Sequence, residues 1–364
     1  MNKRKKDKQK ILNSKYNSGE RNIRSDELIG KRGPLTEESI RPHELMEKMK
    51  EYVDCDRNFL LERQHRFVKV DCPACSSKKH VFHFEKLGIR YRLCQNCETV
   101  FVSPRPSLKL LHEFYVESRN YYFWNKYIFP KSEETRREKI FKPRVERTVA
   151  FADHFLSRYE SIMEVGAGFG TFCEGLVKSK RFKKVLALEP TPDLAETCRK
   201  RSLETLEMPV EDLPEDVKVD IITSFEVIEH LFSVEEFFHN CAKHLKAPGL
   251  LILSCPNFQG FDFQILGIKY EGVDHEHLNY FNPNSLKLLI ERCGFQVLEL
   301  LTPGQLDADI VHNRALKGII SLENQPFLKT VLIDRWAEIG NKFQKFLIDN
   351  LMSGHMWAVA KKRI

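Results

Sequence analysis

Three groups of residues in this chain have the types and spacing that chemistry requires. The first is a pair of CxxC turns, Cys72-Pro-Ala-Cys75 and Cys94-Gln-Asn-Cys97, with 18 residues between them. That spacing suits a four-thiolate zinc site with each pair on a tight knuckle. Four thiolates close a tetrahedral shell, so the ion would be structural. It would supply folding free energy to a module too small to bury much core. A redox dithiol is the alternative, but neither pair opens a helix after a strand, as such a site requires.

The second group is Glu164-Val-Gly166-Ala-Gly168-Phe-Gly170, a glycine turn between an apolar strand and a helix. Glycines allow positive φ and let a ligand approach the backbone closely. The spacing is GxGxG, whereas a dinucleotide site has GxGxxG. Glu164 lies two positions before the first glycine, and Glu189 ends the next strand, where it can accept two hydrogen bonds from ribose hydroxyls. A donor without a pyrophosphate fits this better than a dinucleotide does, because a carboxylate beside an ammonium is favourable. S-adenosylmethionine is such a donor.

The third group is Glu226-Val-Ile-Glu229-His230, after the fourth strand of that alternation, with Asp274-His275-Glu276-His277 farther along the same edge. Were a helical turn to begin at Glu226, it would share a face with Glu229 and His230. Carboxylates and imidazoles together can hold Mg²⁺ or Mn²⁺ and lower the pKa of a substrate hydroxyl. A histidine alone can act as general base near neutral pH. The catalytic candidates are therefore Glu229, His230, His275 and His277.

The elements that must position these groups follow from the patterning. Residues 1–33 carry the whole net charge of +7, as a basic tail expected to be disordered, and the remainder is neutral. Such a tail adds salt-sensitive attraction to RNA or an acidic surface. Residues 34–66 read as a helical lead-in, 67–103 as the zinc ribbon and 104–160 as a helical linker or cap. In the linker, Tyr121, Tyr122, Phe123 and Trp124 either pack it onto the next domain or wall an acceptor pocket. From 161 to 364 strands and helices alternate, which implies a mainly parallel, doubly wound Rossmann-like sheet in an α/β fold. Helical spacing over 303–353 predicts an insertion before the last strand. No apolar run reaches the length of a membrane span, and the charged start lacks the apolar core of a secretory signal. With ten cysteines read as reduced, a cytoplasmic setting is expected.

Over roughly residues 140–364 the chain resembles class I S-adenosylmethionine-dependent methyltransferases. The matching residues are EVGAGFGTF, LEP at 188–190, DIITSFEVIEHL at 220–231, HLKAPGLLILSCPN at 244–257 and HLNYFNPNSLKLLIERCGF at 277–295. The resemblance implies that Glu164, Gly166, Gly168 and Gly170 hold the methionine part of the donor and that Glu189 holds the ribose. It places the adenine near Val210–Glu211 and counts Ser224 among the cofactor-binding residues. Met208-Pro209 stands where family members often carry an acidic residue. The front half, with CPxC…CxxC, Phe101-Val-Ser-Pro-Arg-Pro and Phe114-Tyr115, looks like the zinc-ribbon methyltransferases of sugar, glycan and natural-product modification. Members that methylate sugar carbon usually have a further C-terminal domain, so methylation of oxygen is expected here. The E-x-x-E-H run also resembles one that binds a divalent cation in ubiquinone-biosynthesis and small-RNA 2′-O-methyltransferases, where His275 or His277 matches a downstream histidine of the RNA enzymes. In other methyltransferases resembling this chain, the same Glu and His shape the pocket without metal.

Three functions follow as expectations. The first is methyl transfer to a hydroxyl of a sugar, glycan or other small molecule. The second is RNA 2′-O-methylation with a cation at Glu226, Glu229 and His230. The third is a non-catalytic, zinc-dependent interaction protein, against which the intact glycine loop and Glu189 argue.

Overall fold

The computed structural model describes residues 35–363, so the basic tail and the RNA attraction expected of it lie outside the described residues. Two larger sheets and a short two-stranded ladder organise the rest. In the ladder, β1 (Phe67–Val68) pairs antiparallel with β5 (Arg105–Pro106). Between them β2 (His80–Lys86), β3 (Ile89–Cys94) and β4 (Val100–Val102) form an antiparallel meander. The fourth strand of that sheet comes from far along the chain: β11 (Asn279–Tyr280) pairs with β4, setting Asn279 against Phe101 and Tyr280 against Val100.

The larger sheet contains β6 (Ser161–Val165), β7 (Lys184–Leu188), β8 (Glu204–Leu206), β9 (Val219–Phe225), β10 (Leu245–Pro256), β12 (Phe295–Leu301) and β13 (His355–Lys362). Their order is β12-β13-β10-β9-β6-β7-β8. All run parallel except β13, which is antiparallel to both neighbours. This is the expected α/β, Rossmann-like sheet. Every residue of β6 is buried, which is why its sequence reads as a continuous apolar run around one acid rather than as an alternation. The chain leaves β6 for β7 and β8 on one side, then crosses to β9 and β10 on the other. A crevice therefore opens beyond the carboxyl ends of β6 and β9, the place where such sheets bind ligands.

Helices in front of the sheet close over this crevice. The segments from Leu108 to Phe155 run almost without a break, and Phe129 stacks on Phe169 of the glycine turn with centroids 3.6 Å apart. Arg137 and Arg201 each bridge Glu133 and Glu174, tying these helices to Thr171–Ser179 behind the turn. The lead-in helix His43–Leu61 buries Leu60 against Leu110 and Phe114 and stacks Tyr52 on Phe123. Between β12 and β13 the helices Asp307–Leu316, Pro326–Lys329, Thr330–Asp334 and Trp336–Asp349 enclose an apolar cluster of their own with Phe261 and Leu266. Among the described residues no helix is long and apolar enough to cross a membrane.

Candidate active site

On the donor side, the three glycines of the turn all have positive φ. A side chain at Gly166 would meet Val227 at 2.6 Å, and one at Gly170 would meet Leu203 and Cys198 at 2.6 and 2.9 Å. Nothing stands within 4 Å of the corresponding point at Gly168, so the middle of the turn faces open space. Glu189 holds the turn, accepting from the Gly168 amide at 2.7 Å and from the Thr191 amide at 2.9 Å. Each of its oxygens keeps lone pairs for further donors. Glu164 is buried beneath the turn and accepts from the Cys173 thiol at 3.1 Å; burial pushes its carboxyl up to about 8. Ser224, next to last in β9, is fully buried with its hydroxyl unpartnered. Val210 packs into the main core, whereas Glu211 sits at the surface beside Glu235, Glu236 and His239.

Beyond the end of β9, Glu229, His230 and His277 bring one ligand-type atom each to within 4.8 Å of the others. The rings of His230 and His277 are 4.6 Å apart, edge to face. Glu229 is 1% exposed and neither carboxylate oxygen has a partner. Burial, reinforced by Glu226, drives its pKa well above the carboxylate range. Burial also pushes His230 down to about 3, with His277 adding to the effect, and leaves its Nδ1 unpartnered. His277 differs. Burial works against its charged form, but the Asp274 carboxylate, the Gly272 carbonyl and Glu276 outweigh it, so His277 titrates above its usual value. Its Nδ1 lies 2.9 Å from the Gly272 carbonyl and 3.7 Å from Asp274 Oδ1. If Nδ1 carries the proton, Nε2 is left as the basic nitrogen.

Two expectations change here. No helix begins at Glu226: the chain turns, and Glu226 itself adopts φ 57°. Its carboxylate accepts from Ser254 at 2.7 Å and faces His355 at 3.3 Å, which hold it down to about 2 despite burial. The set Glu226, Glu229 and His230 is therefore not assembled, because a left-handed residue at the strand end turns the first carboxylate away. His275 also leaves the group, grouping instead with Asp56 and Glu276 and lying edge-on to Phe114.

Residues 133–300 match a family described as a methyltransferase domain. The chain contains a methyltransferase domain. Its curated relatives include a ubiquinone biosynthesis O-methyltransferase of Rickettsia akari, 25% identical over 43% of this chain and 66% of that protein. The corresponding protein of Rickettsia bellii is 25% identical over 38% and 62%. A probable S-adenosylmethionine-dependent methyltransferase of Mycobacterium tuberculosis is 31% identical over 26% and 35%. The chain thus spans less than two thirds of the length of these relatives. Among solved structures, a S-adenosylmethionine-dependent methyltransferase from Clostridium acetobutylicum aligns at a TM-score of 0.43 and 10% identity, over 66% of this chain and 99% of that one.

In front of the methyltransferase domain, the four cysteines converge as their spacing predicts. Cys72 and Cys97 sulfurs are 3.5 Å apart, as are those of Cys75 and Cys94, and all four lie within 4.8 Å of one another. Those distances are far too long for disulfides. They are close to the edge of about 3.8 Å that four sulfurs at Zn–S 2.3 Å would make. Each pair sits on a knuckle: Ser76 N bonds to Cys72 O and Glu98 N to Cys94 O, with positive φ at Ser76 and Glu98. The cluster fits a small zinc site.

Several site residues carried no signal in the sequence. Arg144 lies 4.3 Å over Phe225 in the field of Glu226 and Glu164, its Nε unpartnered. Only tertiary contact distinguishes it from its neighbours Arg136, Arg137 and Arg147. Tyr115, Asn120 and Tyr121 reach the acceptor side from the linker: Asn120 donates to Glu276 at 2.8 Å, while the Tyr115 hydroxyl is buried without a partner. Of the four linker aromatics, Tyr121 packs edge-on to Tyr115, Phe123 packs on the lead-in helix, Trp124 lies under Arg136 and Tyr122 is exposed.

Proposed function

We propose that this protein is a S-adenosylmethionine-dependent methyltransferase acting on a hydroxyl of a sugar, glycan or other small molecule. The observation that carries the reading is a half-buried group beside the crevice: His277, tied at Nδ1 to the Gly272 carbonyl, lies with Glu229 and His230. Glu229 and His230 follow β9, the strand that pairs with β6 before the glycine turn. The sulfonium donor, when bound, supplies an already activated methyl group. Glu189 would hold its ribose hydroxyls, Glu164 its ammonium and Arg144 its carboxylate, with room for close approach left at Gly168. His277 Nε2 would take the proton of the acceptor hydroxyl as that oxygen accepts the methyl group, the bonding pair being left on the donor's sulfur. Asp274 steadies the imidazolium so formed. Holding oxygen, carbon and sulfur in line supplies most of the rate.

Cys72, Cys75, Cys94 and Cys97 hold a structural Zn²⁺ in this reading, and reduced cysteines suit a cytoplasmic setting. A divalent cation such as Mg²⁺ or Mn²⁺ is the second reading on the acceptor side. Its support is the convergence of Glu229, His230 and His277, with His277 taking the place expected of Glu226. Incubation of the full chain with radiolabelled donor and panels of carbohydrates, phenolic small molecules and RNA is the test. Label in carbohydrate or another small molecule is expected. Label in RNA alone, or none with S-adenosylhomocysteine also failing to bind in calorimetry, overturns the proposal. Loss of transfer on dialysis against EDTA, restored by Mg²⁺ or Mn²⁺ with zinc retained, selects the cation reading.

A further inference from the structure

His277 sits on a segment with little regular structure, turns and bends running from Tyr270 to Leu278. Its imidazole is fixed from within this loop, by the Gly272 carbonyl and Asp274, so its place depends on what holds those two residues. Two buried tyrosines hold both. Tyr280 donates its hydroxyl to the Gly272 carbonyl at 3.2 Å and accepts from the Asp274 amide at 3.2 Å. Tyr91 donates to the Asp274 carbonyl at 2.7 Å. Asp274 Oδ1 in turn accepts from the amides of Glu276 and His277 at 2.9 and 3.0 Å.

Tyr91 does not belong to the methyltransferase domain. It lies on β3 of the cysteine sheet, three residues before the cluster residue Cys94, and is fully buried. Phe84 stacks on its ring at 4.5 Å, and Tyr280 packs edge-on at 5.8 Å. The same sheet grips the loop elsewhere. Val102 N donates to the Leu278 carbonyl at 2.9 Å, Asn282 Nδ2 to the Cys97 carbonyl at 3.0 Å and Lys86 Nζ to the Tyr270 carbonyl at 2.7 Å. By contrast, the donor-side bonds of Glu189 and Glu164 all stay within the large domain.

We propose that Tyr91, backed by Tyr280 and by the cysteine cluster that folds its strand, is the positioning residue for His277. The cysteine sheet then sets the acceptor half of the site and leaves the donor half alone. This rests on the reading of His277 as the base, and the experiment separates the two. Tyr91→Phe and Tyr280→Phe are made in the full, zinc-loaded chain, since a cysteine variant may fail to fold. Zinc content, S-adenosylhomocysteine affinity, amide exchange and the ring ¹⁵N shifts of His277 at fixed pH are measured.

Zinc content and nucleoside affinity are expected to match the parent. Exchange over 272–278 is expected to quicken by roughly tenfold, the worth of one buried hydrogen bond. The His277 ring shifts are expected to move from a single neutral tautomer towards the average of a free imidazole. Unchanged shifts and exchange in both variants, with nucleoside bound, overturn the positioning role, and so does faster exchange spread evenly over both sheets. Absence of nucleoside binding in the parent chain overturns the methyl-transfer reading instead.

Discussion

The proposed reaction gives Glu189 and His277 different roles, and substitution should separate them. Glu189 accepts from the Gly168 amide of the glycine turn and from the Thr191 amide after its own strand before any ligand arrives. Glu189→Ala leaves those amides unpaired and removes the ribose acceptor. Bonds to a charged group are worth about 1.5–3 kcal/mol, so donor affinity should fall roughly tenfold to a hundredfold in calorimetry. His277→Ala should keep that affinity and lose about a hundredfold or more in transfer rate. The pH dependence has a definite sign. A base works only when unprotonated, and Asp274, Gly272 and Glu276 raise the pKa of His277 against the pull of burial. The log of the single-turnover rate should therefore climb with pH and level off above the ordinary histidine value. A plateau already reached at pH 6 would remove His277 from the role.

Elements impose their own conditions. The donor turn depends on backbone that only glycine adopts cheaply, and at Gly170 the space is also closed by Leu203 and Cys198. Gly170→Ala should cost about 1–3 kcal/mol by chemical denaturation and weaken the donor site with it. A buried acid lies where the insertion meets the large domain. Asp262, on the helix Phe261–Leu266, is pushed up to about 7 by burial and then by Asp307. A folded-state pKa above the unfolded one means that the folded chain holds the proton more tightly. Its contribution is full below pH 4 and lost as pH rises through about 7. Asp262→Asn can still accept from the Phe263 amide and never ionises. Its melting temperature relative to the parent should rise from pH 5 to pH 8, by an amount equivalent to at most about 3 kcal/mol. A difference flat across that range would show that Asp262 stays ionised.

At the scale of the whole molecule, the cysteine sheet and the large domain share a strand. β11 belongs by sequence to the large domain and by hydrogen bonding to the small sheet. Arg105, 1% exposed, donates to the Phe232 and Leu278 carbonyls across the same boundary. Arg292 reaches back from the large domain to the carbonyls of Pro73 and Ala74 in the first knuckle. Stripping zinc should therefore lower the melting temperature of the entire described chain rather than release a small independent transition. Scanning calorimetry with and without chelator, alongside zinc analysis, reads this directly, and two well-separated transitions would show the modules to be independent.

Much of this was legible from residue order alone. Glycines at GxGxG spacing after an apolar strand favour a turn at positive φ, and two CxxC pairs at knuckle spacing predict four thiols brought together. Strand–helix alternation leaves a parallel sheet little choice but to be covered on both faces. These are local rules, carried by neighbours a few positions apart. What lay beyond them depended on contact at a distance. A three-residue edge strand, β8, and the two-residue β11 are too short to show a period. The turn at Glu226 sets its carboxylate against Ser254 and His355, and both come from other strands. Four similar acid–imidazole residues at 274–277 look equivalent in order, yet packing splits His277 from His275. Local sequence set which chemistry was available; only the folded chain chose which of those groups would meet.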